Sequence, residues 1–328
     1  MEIIRNIVYC NQHTCHASRR CVPRQVFLFM EYIKPTTSIP EQVKLLKSRN
    51  LIIEDEEFAK DFLSNVNYYR FSQYLYPFRL SKDPNQNFTL GTRFEDVLKI
   101  YSFDRKLRLL IFDCIERIEI SLRTILINKL SEKYDKYWYM DEHLFQKKVV
   151  FDGNKAKFSK MLANCKEDIF LHFKSTCAKD KYPPAWIGLE LFTFGQLSKV
   201  YENLKHRQDR KIVATHYDLS EYIFSSWIHS LSYIRNLCAH HSRLWDRSLS
   251  VPPKTAIKKL HWLRYKENLL SNLTYFFLCI IKYIIDRIHP ANSLANKLYY
   301  LINSYPSIDI SRMNFPQQWQ DEQIWQLN

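Results

Sequence analysis

Apolar residues recur at three- and four-residue spacing over most of the chain, the pattern of α-helices that bury one face. The longest such run covers residues 94 to about 132 and predicts the longest helix of the protein. Its buried stripe is predicted to contain Leu107, Ile111, Ile115, Ile118, Leu122 and Ile125. Its other face carries acids four residues ahead of bases, and these pairs are predicted to lie on a solvated surface: Asp104 with Arg108, Asp113 with Arg117, and Glu119 with Arg123.

Shorter helices are predicted on both sides of the long one. Before it, one helix begins near Ser38 with Pro40 in its first turn, and a second covers residues 55–63. Residues 81–92 are predicted to form a loop because they contain Asp-Pro, Asn and Gly. After the long helix, one helical pattern follows residues 134–145 and extends to about residue 177. Three more cover residues 186 through 204, about 220 to 244, and about 265 to 288.

The last of these patterns contains an apolar stretch, residues 269–288, that has almost the length of a membrane span. A spanning helix needs about 20 mostly apolar residues. This stretch is interrupted by four polar or charged residues: Asn272, Lys282, Asp286 and Arg287. We therefore predict a helix that is buried in the protein core, and no contact with a membrane.

The glycine content narrows the fold class. Only four glycines occur in 328 residues, so the glycine-rich phosphate loops of the Rossmann and P-loop folds are excluded. With 12 prolines, the composition is also unlike that of an all-β protein with many tight turns. The sequence therefore predicts an all-α fold, organised as a single helical domain over residues 30–328.

The first 29 residues differ from the rest and contain three of the eight cysteines. Their zinc-compatible side chains match the spacing of no standard zinc finger: Cys10, His13, Cys15, His16 and Cys21. We interpret this segment either as a disordered extension or as the product of translation from an upstream start, in which case Met30 is the natural start. It lacks the apolar core of a secretory signal. The scattered cysteines, without a C-x-x-C pair, indicate a reducing, cytoplasmic location.

The charge of the chain favours acidic partners. There are 48 Lys and Arg residues against 34 Asp and Glu, a formal net charge of +14. Such an excess favours binding to nucleic acid or to an anionic membrane surface. Aromatic residues make up 15% of the chain and can serve base stacking as well as core packing.

The helix predicted at about 220–244 combines an apolar stripe with an unusual polar face. Trp227, Leu231, Ile234 and Cys238 form the stripe. Arg235 lies between the two faces, and His241 is predicted to turn toward the core. The polar face contains no acid and resembles a seat for a phosphate group; it consists of His229, Ser232, Asn236, His240 and Arg243.

These residue types suit RNA cleavage without a metal. That reaction needs a proton acceptor for the 2′-hydroxyl, a proton donor for the leaving 5′-oxygen, and cations around the phosphorane. Histidine, with an ordinary pKa of about 6.5, can fill either proton-transfer role near neutral pH. Arginine binds phosphate oxygens with a rigid fork. Because one helix supplies a single clear histidine of this kind, two copies facing each other in a dimer would form a fuller site.

The segment from Arg235 to His240 has the form R-x-x-x-x-H with a polar residue after the arginine, which resembles the signature of HEPN ribonucleases. Its surroundings, SWIHSLSYIRNLCAHHSRLWDR, resemble the Abi-like family of bacterial abortive-infection proteins of the AbiD/AbiF type. Residues 38–78, 100–124 and 183–205 resemble further blocks of that family in the same order. The resemblance extends from about Lys34 to Gln326.

This resemblance implies an all-α, HEPN-type helical bundle with additional helices. It also implies a cytoplasmic endoribonuclease without a metal or other cofactor, used in phage defence or as a toxin, that leaves 2′,3′-cyclic phosphate ends. Because the chain has one motif, a homodimer is implied. RNA is the implied substrate. Some relatives are encoded beside a structured noncoding RNA, which is the implied regulator.

The resemblance also implies the roles of individual residues. Arg235 would stabilise the phosphate, Asn236 would orient the reacting groups, and His240 would be the acid or base. Further RNA contacts are predicted on the same segment and on the long helix, for which surface ion pairs or structural roles are the alternative: His241, Arg243, Arg117, Arg123 and Glu119. Tyr68, Tyr69 and Arg70 either contact RNA or, as the aromatic pattern favours, pack in the core.

Two other functions fit the same sequence. One is a HEPN-like protein that binds a structured RNA through its basic surface without cutting it. The other is a toxin whose partner is a protein.

Overall fold

A 40-residue helix, α4 (Phe94–Lys133), is the element against which most of the other described helices pack. The computed structural model describes residues 36–177, 179–255, 263–264 and 269–326, so the predictions for the first 29 residues lie outside the described part. The other helices, in chain order, are α1 (Ile39–Ser48), α2 (Glu56–Asn65), α3 (Tyr68–Leu75), α5 (Lys148–Asn164), α6 (Asp168–Thr176), α7 (Ala185–Gly188), α8 (Phe194–Asn203), α9 (Arg207–Thr215), α10 (Glu221–Ala239), α11 (Thr274–Ile288) and α12 (Leu294–Asn303).

The all-α prediction is confirmed. In the described residues the only β-type pairings are isolated bridges, such as the one between Ile52 and Arg93. Helix α4 contacts α3 and each of α7 to α12, and its predicted stripe is buried except at the half-buried Ile125. The loop predicted at 81–92 and the helices predicted from Ser38 and Asp55 are present.

Helix α11 is the core helix that the apolar stretch predicts. Every residue from Thr274 to Ile285 is buried, and α4, α10 and the 3₁₀ turn at Gln323–Trp325 pack against this helix. Lys282 is buried with the rest, and its ammonium group donates to both carboxylate oxygens of Asp286 at 2.6 Å. None of the described helices has the length and apolar character needed to cross a membrane.

The prediction of one continuous helix from 186 through 204 is wrong. The chain forms α7, a 3₁₀ turn at Leu189–Leu191, and then α8. The break comes from a capping box, in which Thr193 and Gln196 each satisfy a backbone N–H of the other at the start of α8. Pattern reading also missed α9, and it joined α5 to α6 across the short connection at 165–167.

The three acid–base pairs of α4 lie in three different environments, so their common prediction is only partly right. Asp113 and Arg117 are each 41% exposed and form the expected surface pair at 3.2 Å. Glu119 and Arg123 are largely buried, at 14% and 12% exposed. Asp104 and Arg108 are buried and in contact, and the surface prediction is wrong for them.

Asp104 is the centre of a hydrogen-bond network that joins three parts of the chain. Its carboxylate accepts from the Tyr74 hydroxyl on α3 at 2.7 Å and from the Arg108 guanidinium. It also accepts from the backbone N–H groups of Leu244 at 3.1 Å and Trp245 at 2.8 Å. Burial raises the pKa of the Asp104 carboxyl, and these four donors oppose the shift. The network attaches the segment after α10 to α4.

We predict that Asp104→Asn lowers the free energy of unfolding by about 3–5 kcal/mol, because it leaves the buried Arg108 without a counter-charge. The matched control is Asp113→Asn, which breaks a pair of the same spacing on the same helix. It should cost less than about 1 kcal/mol, since this pair is half exposed. Urea unfolding of both variants measures the difference, and equal losses would contradict the role assigned to Asp104.

Candidate functional site

Helix α10 ends at Ala239, five residues earlier than the pattern predicts. It begins behind Ser220, whose side chain accepts from the N–H of Ile223. Three hydrogen bonds from backbone N–H groups to backbone carbonyls end the helix. His240 donates to Asn236 at 2.9 Å, His241 to Cys238 at 3.0 Å, and Ser242 to Leu237 at 2.8 Å. The last two form a Schellman motif, so the R-x-x-x-x-H segment is the last turn of the helix and its cap.

His241 occupies the left-handed position of this motif, with φ of 57°. Glycine usually fills that position, and histidine is one of the few other residues that adopt it more often than most. The side chain is exposed. The prediction that His241 turns toward the core is therefore wrong, because that prediction assumed that the helix continues.

The turn after α10 is held from two sides. The Arg70 guanidinium on α3 donates to the His241 carbonyl at 2.7 Å. On the other side, Asp104 accepts from Leu244 and Trp245. Sequence reasoning missed both interactions. Asp104 could have been found, because it lies in register with the apolar stripe of α4 rather than opposite it.

The polar face of α10 is only partly as predicted. His229, Asn236 and His240 are exposed. Ser232 is buried, and its hydroxyl donates to the His229 carbonyl at 2.8 Å. Arg243 lies beyond the end of the helix and is not part of this face. Burial lowers its pKa, and its Nη1 atom is buried without a hydrogen-bond partner among the described residues.

Arg235 is partly exposed and lies beside helix α4. Its guanidinium is over the Phe112 ring, with 5.6 Å between the guanidinium carbon and the ring centre. Its Nε atom lies 3.9 Å from a carboxylate oxygen of Glu119. The structure therefore brings Glu119 next to the motif arginine, and its predicted contact with RNA stays a prediction.

Glu119 connects Arg235 to Arg123. The Arg123 guanidinium donates to Glu119 at 3.0 Å and to the carbonyls of Leu189 and Phe192 at 3.1 and 3.0 Å. Burial raises the pKa of the Glu119 carboxyl, while the two arginines oppose the shift. Arg123 therefore holds the connection between α7 and α8 and has few free donors.

The remaining predicted residues are more dispersed. Arg117 pairs with Asp113 on the surface of α4 and does not contact the motif. Tyr68 packs against the core as predicted, whereas Tyr69 is exposed. Within the described residues no group of three or more His, Cys, Asp or Glu side chains is arranged to hold a metal ion.

The fold and the site define a class: an all-α protein that exposes an Arg-Asn and a His in the last turn of one helix. A sequence profile of Abi-like proteins matches residues 61–246, more than half of the chain. The chain belongs to the Abi-like protein family, which suggests a role in abortive infection, a form of phage defence. Comparisons with curated proteins and with solved structures give no significant match.

We predict that His241→Gly raises the free energy of unfolding by about 1 kcal/mol, because glycine adopts the left-handed conformation without a Cβ clash. His241→Val should lower it, since a β-branched residue is strained there. Urea unfolding tests both variants. A glycine variant no more stable than the wild type would contradict the cap assignment. RNA affinity measured on the same variant tests His241 as an RNA contact separately.

Proposed function

We propose that the protein is a HEPN endoribonuclease that cleaves RNA without a metal and acts in phage defence or as a toxin. One observation carries the proposal. Arg235, Asn236 and His240 lie together at the C-terminal end of α10, Arg235 partly exposed and the other two exposed, in a member of the Abi-like family. Asp104 and Arg70 hold the turn beyond that end. Fixed positions of this kind favour catalysis, because the reacting groups need little rearrangement.

The proposed reaction is an internal transfer at phosphorus. His240 removes the proton of a 2′-hydroxyl, whose oxygen attacks the adjacent phosphorus. The bond from phosphorus to the 5′-oxygen breaks, and a protonated group returns a proton to that oxygen. The products are a 2′,3′-cyclic phosphate and a 5′-hydroxyl. Arg235 stabilises the negative charge of the phosphorane, with Glu119 beside its Nε atom limiting the orientations of the guanidinium.

The reaction needs an acid as well as a base, and the motif supplies one histidine. We therefore propose a homodimer in which the motifs of two copies face each other. The basic charge of the chain supports RNA as partner, both as substrate and as a structured noncoding regulator. Asn236, four residues before His240, is proposed to orient the imidazole or a phosphate oxygen.

We predict that His240→Ala and Arg235→Ala each lower the cleavage rate of single-stranded RNA by about 10²–10⁴-fold, because each removes a group that acts in the transition state. The control is His172→Ala, which removes another exposed histidine, on α6. Circular dichroism and RNA affinity should stay close to wild type in all three. Cleavage that persists in His240→Ala would overturn the assignment.

The ends of the products and the effect of EDTA test the chemistry. We expect 2′,3′-cyclic phosphate and 5′-hydroxyl ends, and a rate that EDTA leaves unchanged. Products with 3′-hydroxyl ends, or loss of activity in EDTA, would contradict the mechanism. A wild-type protein that binds structured RNA without cutting it would support the non-cleaving alternative.

Co-purification tests the RNA partner. The chain is expressed with its native flanking DNA, as wild type and as His240→Ala, and the RNA that accompanies each protein is sequenced. A discrete structured RNA from the same locus would support the proposed regulator. Heterogeneous fragments with cyclic ends, absent from the variant, would indicate a nuclease without such a partner. No RNA with either protein would favour a toxin controlled by a protein.

A further inference from the structure

Two neighbouring cavities border helix α8, and one of them also borders the N-terminal half of α10. One has a volume of about 560 Å³ and lies between α10, α8 and the chain at Lys254. The other, of about 400 Å³, lies between α5 and α8. Gln146 and Glu202 line both cavities, so the two form one groove. Each volume is in the range of sites that bind small molecules or single nucleotides.

The groove carries an excess of unpaired positive charge. Four exposed lysines line it, and none forms an ion pair within the described part of the chain: Lys147, Lys157, Lys199 and Lys254. Two acids line it as well. Glu221 is neutralised by Arg207, whereas Glu202 has no ion pair among the described residues. Arg210 also lines the groove and forms no ion pair among the described residues, so five unpaired cations face one unpaired acid. This excess favours a polyanion as the occupant.

An aromatic ring lies at the same place. Tyr222 lines the larger cavity and is 61% exposed, with the Lys254 ammonium 3.5 Å from the centre of its ring. Exposed aromatic rings in basic grooves are the surfaces on which single-stranded nucleic acids stack their bases. An exposed aromatic ring beside the lysines favours a single-stranded nucleic acid, whereas surface lysines alone would bind any polyanion.

The groove and the candidate site lie along the same face of α10. Tyr222, Ser225, Ser226 and His229 line the cavity at three- and four-residue spacing. The same spacing continues through Tyr233 and Asn236 to His240. From His229 to Asn236 the helix rises about 10 Å, at about 1.5 Å per residue. That distance corresponds to roughly three stacked nucleotides at about 3.4 Å each.

We propose that this groove binds the single-stranded RNA that flanks the cleavage site. The strand lies along α10 from His240 toward Tyr222, its phosphates contact the groove lysines, and one base stacks on Tyr222. The inference rests on the proposed function for the identity of the ligand. It adds a binding surface of at least three nucleotides on one side of the scissile bond, outside the R-x-x-x-x-H motif.

The test uses the full chain with His240→Ala as background, so that RNA is bound and not consumed. A fluorescein-labelled 12-nucleotide single-stranded RNA of mixed sequence is the probe, and anisotropy gives its affinity at several salt concentrations. The groove variant combines Lys157→Gln, Lys199→Gln and Lys254→Gln. The control combines Lys44→Gln, Lys166→Gln and Lys179→Gln, three exposed lysines without ion pairs among the described residues, which do not line the groove.

Loss of three phosphate contacts should lower the slope of log affinity against log salt by about 2, and the affinity at 0.1 M salt by about 100-fold. The loss of affinity in the control variant should be less than a tenth of the loss in the groove variant. Tyr222→Leu should weaken binding by about 10-fold and Tyr300→Leu, another exposed tyrosine, should leave it unchanged. Equal losses in the two lysine variants, or no loss in either, would overturn the proposal.

A separate assay distinguishes this proposal from the proposed function. Cleavage is measured in the chain with the natural His240, with and without the three groove substitutions. If the groove variant binds RNA more weakly but the protein with the natural His240 never cuts RNA, the groove proposal stands and the proposed nuclease function is overturned. If a 12-nucleotide substrate is cut at the same rate with and without the groove substitutions, the proposed nuclease function stands and the groove proposal is overturned.

Discussion

The buried carboxylate of Asp104 is the contact on which the candidate site depends. It joins Tyr74 on α3, Arg108 on α4 and the backbone after α10. A buried charge is tolerable only when donors surround it, so these elements are constrained to one arrangement. The consequence for function is positional. The helix end that carries Arg235 and His240 is followed by a turn whose backbone is attached to α4, and the exposed side chains are presented from a rigid support.

Helix α4 shows how one spacing leads to three outcomes. Its acid–base pairs are all four residues apart, yet one is on the surface, one is largely buried and one is fully buried. Each environment gives a different role. The surface pair adds little stability, the buried pair fixes the turn after α10, and Glu119 with Arg123 links the α7–α8 connection to Arg235. Two of the three pairs therefore help to position the motif, one through the turn after α10 and one through Glu119 beside Arg235.

The polar face of α10 forms one surface with two parts. Its C-terminal turn carries the groups proposed for proton transfer and phosphate binding, and its N-terminal half borders a basic groove. This division is physically reasonable for a nuclease, because few groups can act on one phosphate while many phosphates along a strand can add to affinity.

Much of this protein was predictable from its sequence alone. The all-α class, the long central helix, the buried α11 and the family followed from periodicity, glycine content and motif order, because these are properties of local sequence. The tertiary structure decided the rest. The partners of the Asp104 carboxylate and the attachment of the turn after α10 depend on contacts between residues far apart in the chain, here 140 positions from Asp104 to Leu244. Local patterns carry no record of such contacts, so only the folded chain determines which charged residues face water and which hold the site.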